Sequence, residues 1–245
     1  MGHVFTVFRR EFASYFTTPL AVVFLIIFLM LQGVFTFYVG RFYVGEQADL
    51  SAFFSFHPWL YLFLMPAIGM RLVAEERRSG TLELVLTLPL SPAAVILGKY
   101  LAAFAFAALA LALTFPIWLT VNYLGAPDNG VILTGYLGSL LMAGAYLGVA
   151  MAMSALTGNQ VVAFIAAVAV CFLMTVLGLP MVLDGVRALG VPALTVLVAS
   201  MGFLSHFDAL QKGVVSMADL VYFTVTIAFW LGLTRLIIEH KREAG

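Results

Sequence analysis

Residues Glu75–Ser91 read EERRSGTLELVLTLPLS, and this is the one densely charged stretch in a chain that is otherwise almost wholly apolar. Four consecutive ions, Glu75, Glu76, Arg77 and Arg78, follow an apolar run that ends at Val73–Ala74. Ser79 or Gly80 can then cap a short helix, because either lets the chain turn while the first free N–H groups find a partner. Leu82, Val85 and Leu86 fall at i, i+3 and i+4 and share one face of that helix. Pro89 biases Leu88 away from the helical region and ends the element. Ser91–Pro92 starts the next helix, with Ser91 as N-cap and Pro92 at the first position, where its missing N–H costs nothing. The pattern predicts a short amphipathic helix hung between two long apolar runs. Its apolar face suits either the lipid headgroups or a groove on a partner.

Working outward, composition decides the class. Of 245 residues, 63% are hydrophobic and only 10% charged. A soluble domain of this size cannot hide so much apolar surface, so lipid must cover it. A net charge of zero argues against a nucleic-acid partner, which needs a basic surface. The single cysteine, Cys171, rules out an intramolecular disulfide and a cysteine metal cluster. No GxxxxGK[ST] phosphate loop occurs, so ATP binding by this chain is not expected.

Six segments have roughly the 20 apolar residues needed to cross a bilayer core: 20–39, 58–73, 93–121, 131–156, 161–179 and 220–238. The second is short and contains Pro66, which predicts a kink or local thinning. Ahead of the first, residues 3–18 place Phe5, Phe8, Phe12 and Phe16 at helical spacing beside Arg9, Arg10 and Glu11. That is the pattern of an amphipathic helix lying in the interface. Lys99 and Arg235 sit near span ends, where long basic side chains reach water. With both termini inside, nine of the twelve Lys and Arg residues fall on the cytoplasmic side. Arg41, Arg187 and Lys212 stay outside, together with Glu46, Asp49, Asp128, Asp184, Asp208 and Asp219. This bias predicts both termini in the cytoplasm.

Residues 181–219 are ambiguous. Val191–Leu204 is apolar but only 14 residues long, which favours a re-entrant or interfacial helix over a seventh span. Gly144 and Gly148, followed by Ala152, form a ridge of small residues that lets another helix approach, within this subunit or between subunits. His57, His206 and Asp208 lack paired ligand spacing and are read as structural, with no metal site expected. No HExxH, GxSxG or pair of acids within a span suggests catalysis, and the span centres carry no proton relay. Energy for any transport must then come from another chain.

GTLELVLTLPLS, preceded by EER and followed by Lys99, resembles the coupling region of ABC-2 type permeases, the membrane subunits of ATP-driven exporters. The flanks HPWLYLFLMPAIGMRLVAEE and SHFDALQKGVVSMADLVYF look most like the gliding-motility branch of that family. The resemblance covers nearly the whole chain and implies one all-α transmembrane domain, 1–245, in the bacterial inner membrane. It implies six spans, an interfacial helix at 3–18 carrying Arg9, Arg10 and Glu11, and a cytoplasmic coupling region at 75–91. Just before the last span it implies a re-entrant hairpin within 181–219. In the coupling region, Glu75, Glu76, Arg77, Arg78, Gly80, Thr81, Leu82, Glu83, Val85, Leu86 and Pro89 would engage a separate ABC ATPase. ATP and Mg would bind that partner, and a second permease, identical or related, would complete the pathway. The expected cargo is apolar or amphipathic, such as a lipid or lipid-linked glycan. The competing reading is a non-transporting anchor that recruits an ATPase to a motility or signalling assembly.

Overall fold

The computed structural model describes residues 2–17, 19–43, 48–80 and 91–243, and all regular structure among them is helical. In chain order the elements are α1 (Gly2–Thr17), α2 (Pro19–Gly33, continued as a π-helix over Val34–Val39), α3 (Ser51–Ser55), α4 (His57–Gly69) and α5 (Ala74–Arg78). Then follow α6 (Pro92–Ala112), α7 (Phe115–Leu124), α8 (Asn129–Leu156), α9 (Gln160–Val176), α10 (Pro180–Arg187), α11 (Pro192–Met201), α12 (Phe203–Gln211) and α13 (Met217–Glu243).

The bundle is built around α8, in which every residue from Met142 to Ala155 is buried. Its small residues allow this. A Cβ on Gly69 of α4 would lie 2.3 Å from the Ala150 Cβ, so α4 and α8 touch almost backbone to backbone. Gly144 faces Tyr100 and Phe104 of α6 and Ile227 of α13, and Gly148 faces Trp230 of α13. The ridge of small residues is therefore filled from within this subunit. Local signals fix several helix starts: Ser91 accepts the Ala94 N–H ahead of Pro92, Asp128 accepts from Gly130 and Val131, and Asn159 accepts from Val161 and Val162.

Four helical segments are long and apolar enough to cross a membrane: Ala21–Val39, Pro92–Leu124, Asn129–Leu156 and Met217–His240. Two bent pairs raise the number to six, α9 with α10 at 65° and α11 with α12 at 68°. The segment expected to span at 58–73 is helical over a shorter stretch. Its helix α4 has 13 residues, about 20 Å of rise against a core of about 30 Å. It lies buried along α8, and the chain turns at 70–73 before α5 begins.

The polarity of the bundle follows from these contacts. His57 meets Ser139 near the start of α8, and Ala74 meets Ser154 near its end. α4 and α8 therefore run in the same direction, as does α13, whose Ile227 and Trp230 pass Gly144 and Gly148 in order. Both α1 and the C-terminal end of α13 thus lie at the end of the bundle that carries α5. At the other end the chain leaves α9 at Gly178 and returns at Gly202, where a Cβ would lie 2.5 Å from the Gly178 nitrogen. The α10–α11 excursion is a closed hairpin, since it finishes where it starts.

Candidate functional site at the charged end of the bundle

Three elements bring ionised side chains together at one end of α8. α1 packs on α6 so closely that a Cβ on Gly98 would meet the Val7 Cβ at 2.7 Å and the Val4 carbonyl at 3.0 Å. Lys99, the next residue, is thereby set beside Glu11, one turn beyond Val7. The Lys99 side chain is only 5% exposed, and an ammonium so placed requires partners. Its Nζ lies 2.9 Å from Glu76 Oε1 of α5 and 3.3 Å from Glu11 Oε1 of α1. Arg10 donates to Glu11 at 2.6 Å and stands 3.8 Å from Glu76. Two cations and two carboxylates form a neutral node joining α1, α5 and α6. Burial works to raise the Glu11 carboxyl, but Lys99 and then Arg10 outweigh it and hold it below the usual carboxylate range. The hydrogen bond to Glu11 in turn raises the Arg10 guanidinium, against a smaller opposing effect of burial.

α5 is also tied to α8. The Ser154 hydroxyl accepts the N–H groups of Val73 and Ala74 at 3.1 and 2.9 Å and donates to the Met70 carbonyl at 2.8 Å. One side chain thereby satisfies the backbone at the break between α4 and α5. Arg77 donates to the Leu156 carbonyl at 3.1 Å, at the C-terminal end of α8. Arg71 grips Glu75 through both its Nε and Nη2. Beside the node opens a cavity of about 280 Å³, lined among others by Glu11, Tyr15, Arg71, Glu75, Glu76 and Lys99. These groups hold α1, α5, α6 and α8 together.

Several expectations change here. Lys99 does not reach water as a span-end lysine would; it is enclosed, because Glu11 and Glu76 arrive from elements distant in sequence. Arg235 is exposed and pairs with Glu239 at 2.7 Å. Ser79 and Gly80 close α5: the Ser79 hydroxyl donates to the Glu75 and Glu76 carbonyls, and Gly80 takes φ +68°, the left-handed turn that ends a helix. Arg9 and Arg78 are exposed. Thr81, Leu82, Glu83, Val85, Leu86 and Pro89 lie outside the described residues. Ser154 carried no sequence signal, since a serine inside an apolar helix reads as filler until its partner is known.

The histidines lie far apart. His57 shares a 2.6 Å hydrogen bond with Ser139 and stacks on Tyr61. His206 sits at the opposite end from the node, its Nδ1 2.6 Å from Asp219 and its Nε2 3.2 Å from the Ser200 carbonyl.

A family model described as ABC-2 family transporter protein matches residues 47–236. The chain belongs to the ABC-2 transporter family. No curated protein matches it. The matched span of this ABC-2 chain takes in α3 to α12 and most of α13, including Glu76, Lys99 and Ser154, and leaves α1 and α2 outside. ABC-2 permeases are multi-pass transport subunits that normally pair with a separate ABC ATPase.

Proposed function

We propose that this ABC-2 chain is the permease of an ATP-driven exporter in a bacterial cytoplasmic membrane, with the α5 end and both termini facing the cytoplasm. The observation that carries this reading is the Lys99 node, which joins α5, immediately before the 81–90 segment, to α1 and α6. An ATPase that receives Leu82, Val85 and Leu86 in a surface groove would grip the chain directly beyond α5. Closure of two such ATPases on ATP and Mg would displace α5 and, through Lys99 and Ser154, shift α6 and α8 together. A second permease, identical or of the same family, completes the path, and the α10–α11 hairpin dips into the membrane from the outer side. The cargo is apolar or amphipathic, a lipid or lipid-linked glycan, and the quoted flanks favour the gliding-motility branch.

The deciding measurement is co-purification of the ATPase with the permease, alongside nucleotide turnover of the complex. A helix face held in a groove binds through a few anchors, each worth about 2 kcal/mol, or roughly thirtyfold. Leu82→Asp and Leu86→Asp should therefore weaken association about that much while the permease inserts normally. Glu83→Ala should have a smaller effect. Unchanged association and turnover in both aspartate variants would sink the proposal.

A further inference from the structure

Neither α10 nor α11 has a buried residue. Their hairpin is therefore secured chiefly by its neck, where Gly178 meets Gly202, and by what its return end touches. The last turn of α11 presents carbonyls that have no partner within the helix. Two side chains of the bundle reach them. His206 of α12 has its Nε2 3.2 Å from the Ser200 carbonyl, and the Tyr222 hydroxyl of α13 donates to the Met201 carbonyl at 2.7 Å. The two rings stack with centroids 3.9 Å apart, and His206 Nδ1 lies 2.6 Å from Asp219 Oδ1. Between the hairpin and the bundle lies a cavity of about 540 Å³, bordered by Leu183 and Ala199 on one side and by Pro58, Phe207 and Gln211 on the other.

These contacts need one proton more than a neutral ring beside a carboxylate supplies. A carbonyl only accepts, so Nε2 carries a proton for the Ser200 contact. The contact between Nδ1 and Asp219 needs a second proton, on the ring or on the carboxyl. Once that proton is lost, a neutral ring with a single N–H faces a carboxylate and a carbonyl. If Nδ1 keeps the N–H, the Nε2 lone pair meets the Ser200 oxygen; if Nε2 keeps it, the Nδ1 lone pair meets the carboxylate. One contact turns repulsive in either case. A charged acceptor holds the N–H more strongly than a neutral one, so the arm that opens is the one to α11. The other ionisable groups on the neighbouring elements leave this balance to the pair. Asp208 and Lys212 of α12 bind each other, as do Asp184 and Arg187 of α10, and α11 carries no ionisable side chain. α8 brings Tyr146, whose ring lies against Phe203, and α9 brings the buried Cys171.

We propose that His206 and Asp219 form a proton-operated latch, which holds the α10–α11 hairpin closed while the pair shares a proton and frees its return end when that proton is lost. The closed form binds the proton, so closure is favoured at lower pH and is lost as pH rises. The latch involves neither α5 nor a partner chain, so it can fail while the exporter reading stands, and the reverse.

The test follows the hairpin in the full chain, held in nanodiscs and spin-labelled at Leu189→Cys in the hairpin and Tyr123→Cys at the end of α7, both exposed positions. Double electron–electron resonance then gives the ratio of closed to open hairpin from the distance distribution. The buffer is raised from about pH 5 to about pH 8, the interval over which histidine ordinarily titrates. The ratio should fall about fivefold, the factor that one neutral hydrogen bond commonly commands. His206→Gln, which has no titrating ring, should give the same ratio at both ends of the interval. Asp219→Asn should also abolish the response but leave the hairpin closed throughout, because the introduced amide can donate to Nδ1 while Nε2–H stays on Ser200. A side chain that merely packs would not separate the two variants in this way. An unchanged ratio in the unaltered protein, a response that survives in both variants, or a hairpin that is open at both ends of the interval in Asp219→Asn would overturn the latch. Should Asp219→Asn fail to fold, the response of the unaltered protein and its loss in His206→Gln still decide.

Discussion

Lys99 is enclosed by two carboxylates from other elements, and removing it leaves both facing each other away from water. Breaking a buried pair by deleting one partner typically costs about 3–5 kcal/mol, most of it the stranded charge. Lys99→Met should lower stability at the bottom of that range, because Arg10 remains as a second cation for Glu11. Thermal unfolding in detergent checks this, and the double variant Lys99→Met with Glu76→Gln should recover part of the loss. The same node makes stability depend on acid. The folded Glu11 carboxyl is held below its ordinary value, which is near 4.3 in an unfolded chain. Its contribution is therefore fully present above about pH 4.3 and is lost as pH falls through the lower, folded value. Glu11→Gln should flatten the melting temperature over that acid window and leave its shape above pH 6 unchanged. None of this was legible at Lys99 itself. The residues flanking it in sequence are apolar, and its partners arrive from α1 and α5, so the local reading sent it to water.

Among the elements, the α10–α11 hairpin depends on the contact between Gly178 and Gly202. Gly202 has φ −79° and ψ 127°, which any residue adopts, so only the space is at stake. A Cβ there would sit 2.5 Å from the Gly178 nitrogen and 2.6 Å from its Cα, and backbone cannot swing aside as a side-chain tip can. Gly202→Ala should cost about 1–3 kcal/mol through forced backbone shifts. Gly185, inside α10, has nothing within 4 Å of its would-be Cβ, so Gly185→Ala should stabilise by about 0.5–1 kcal/mol. Paired melting curves decide it, and equal effects at the two positions would mean that the hairpin ends are not in contact. Helix starts were readable wherever a cap and its helix are neighbours, as at Ser91–Pro92. The hairpin could be suspected from the shortness of Val191–Leu204, but its closure rests on two glycines 24 positions apart. The extent of α4 was misjudged for a related reason: apolar sequence continues to Val73, while Ser154 captures the chain and turns it four residues earlier.

At the scale of the whole molecule, the direction of each helix along α8 makes the topology testable without a partner. α1, α5 and the C-terminal end of α13 share one end, while the α9–α10 corner, α12 and the start of α8 share the other. Apolar run lengths were enough to predict an all-helical membrane chain. They could not distinguish a helix faced by lipid from one that, like α4, is mostly covered by protein, because composition does not record what does the covering. The proposed function places the α5 end in the cytoplasm, as expected from the gathering of arginines and lysines there. Single cysteines test that placement against a quiet background, because Cys171, the one native cysteine, is fully buried. Ser79→Cys and His240→Cys should react with an impermeant maleimide only after the membrane is opened. Asp184→Cys and Ala126→Cys should react in intact cells. Labelling of Ser79→Cys and His240→Cys on opposite sides would contradict the shared end itself. If all four positions exchanged sides together, the fold would stand, but the ATPase could not reach α5 and the proposed coupling would fail.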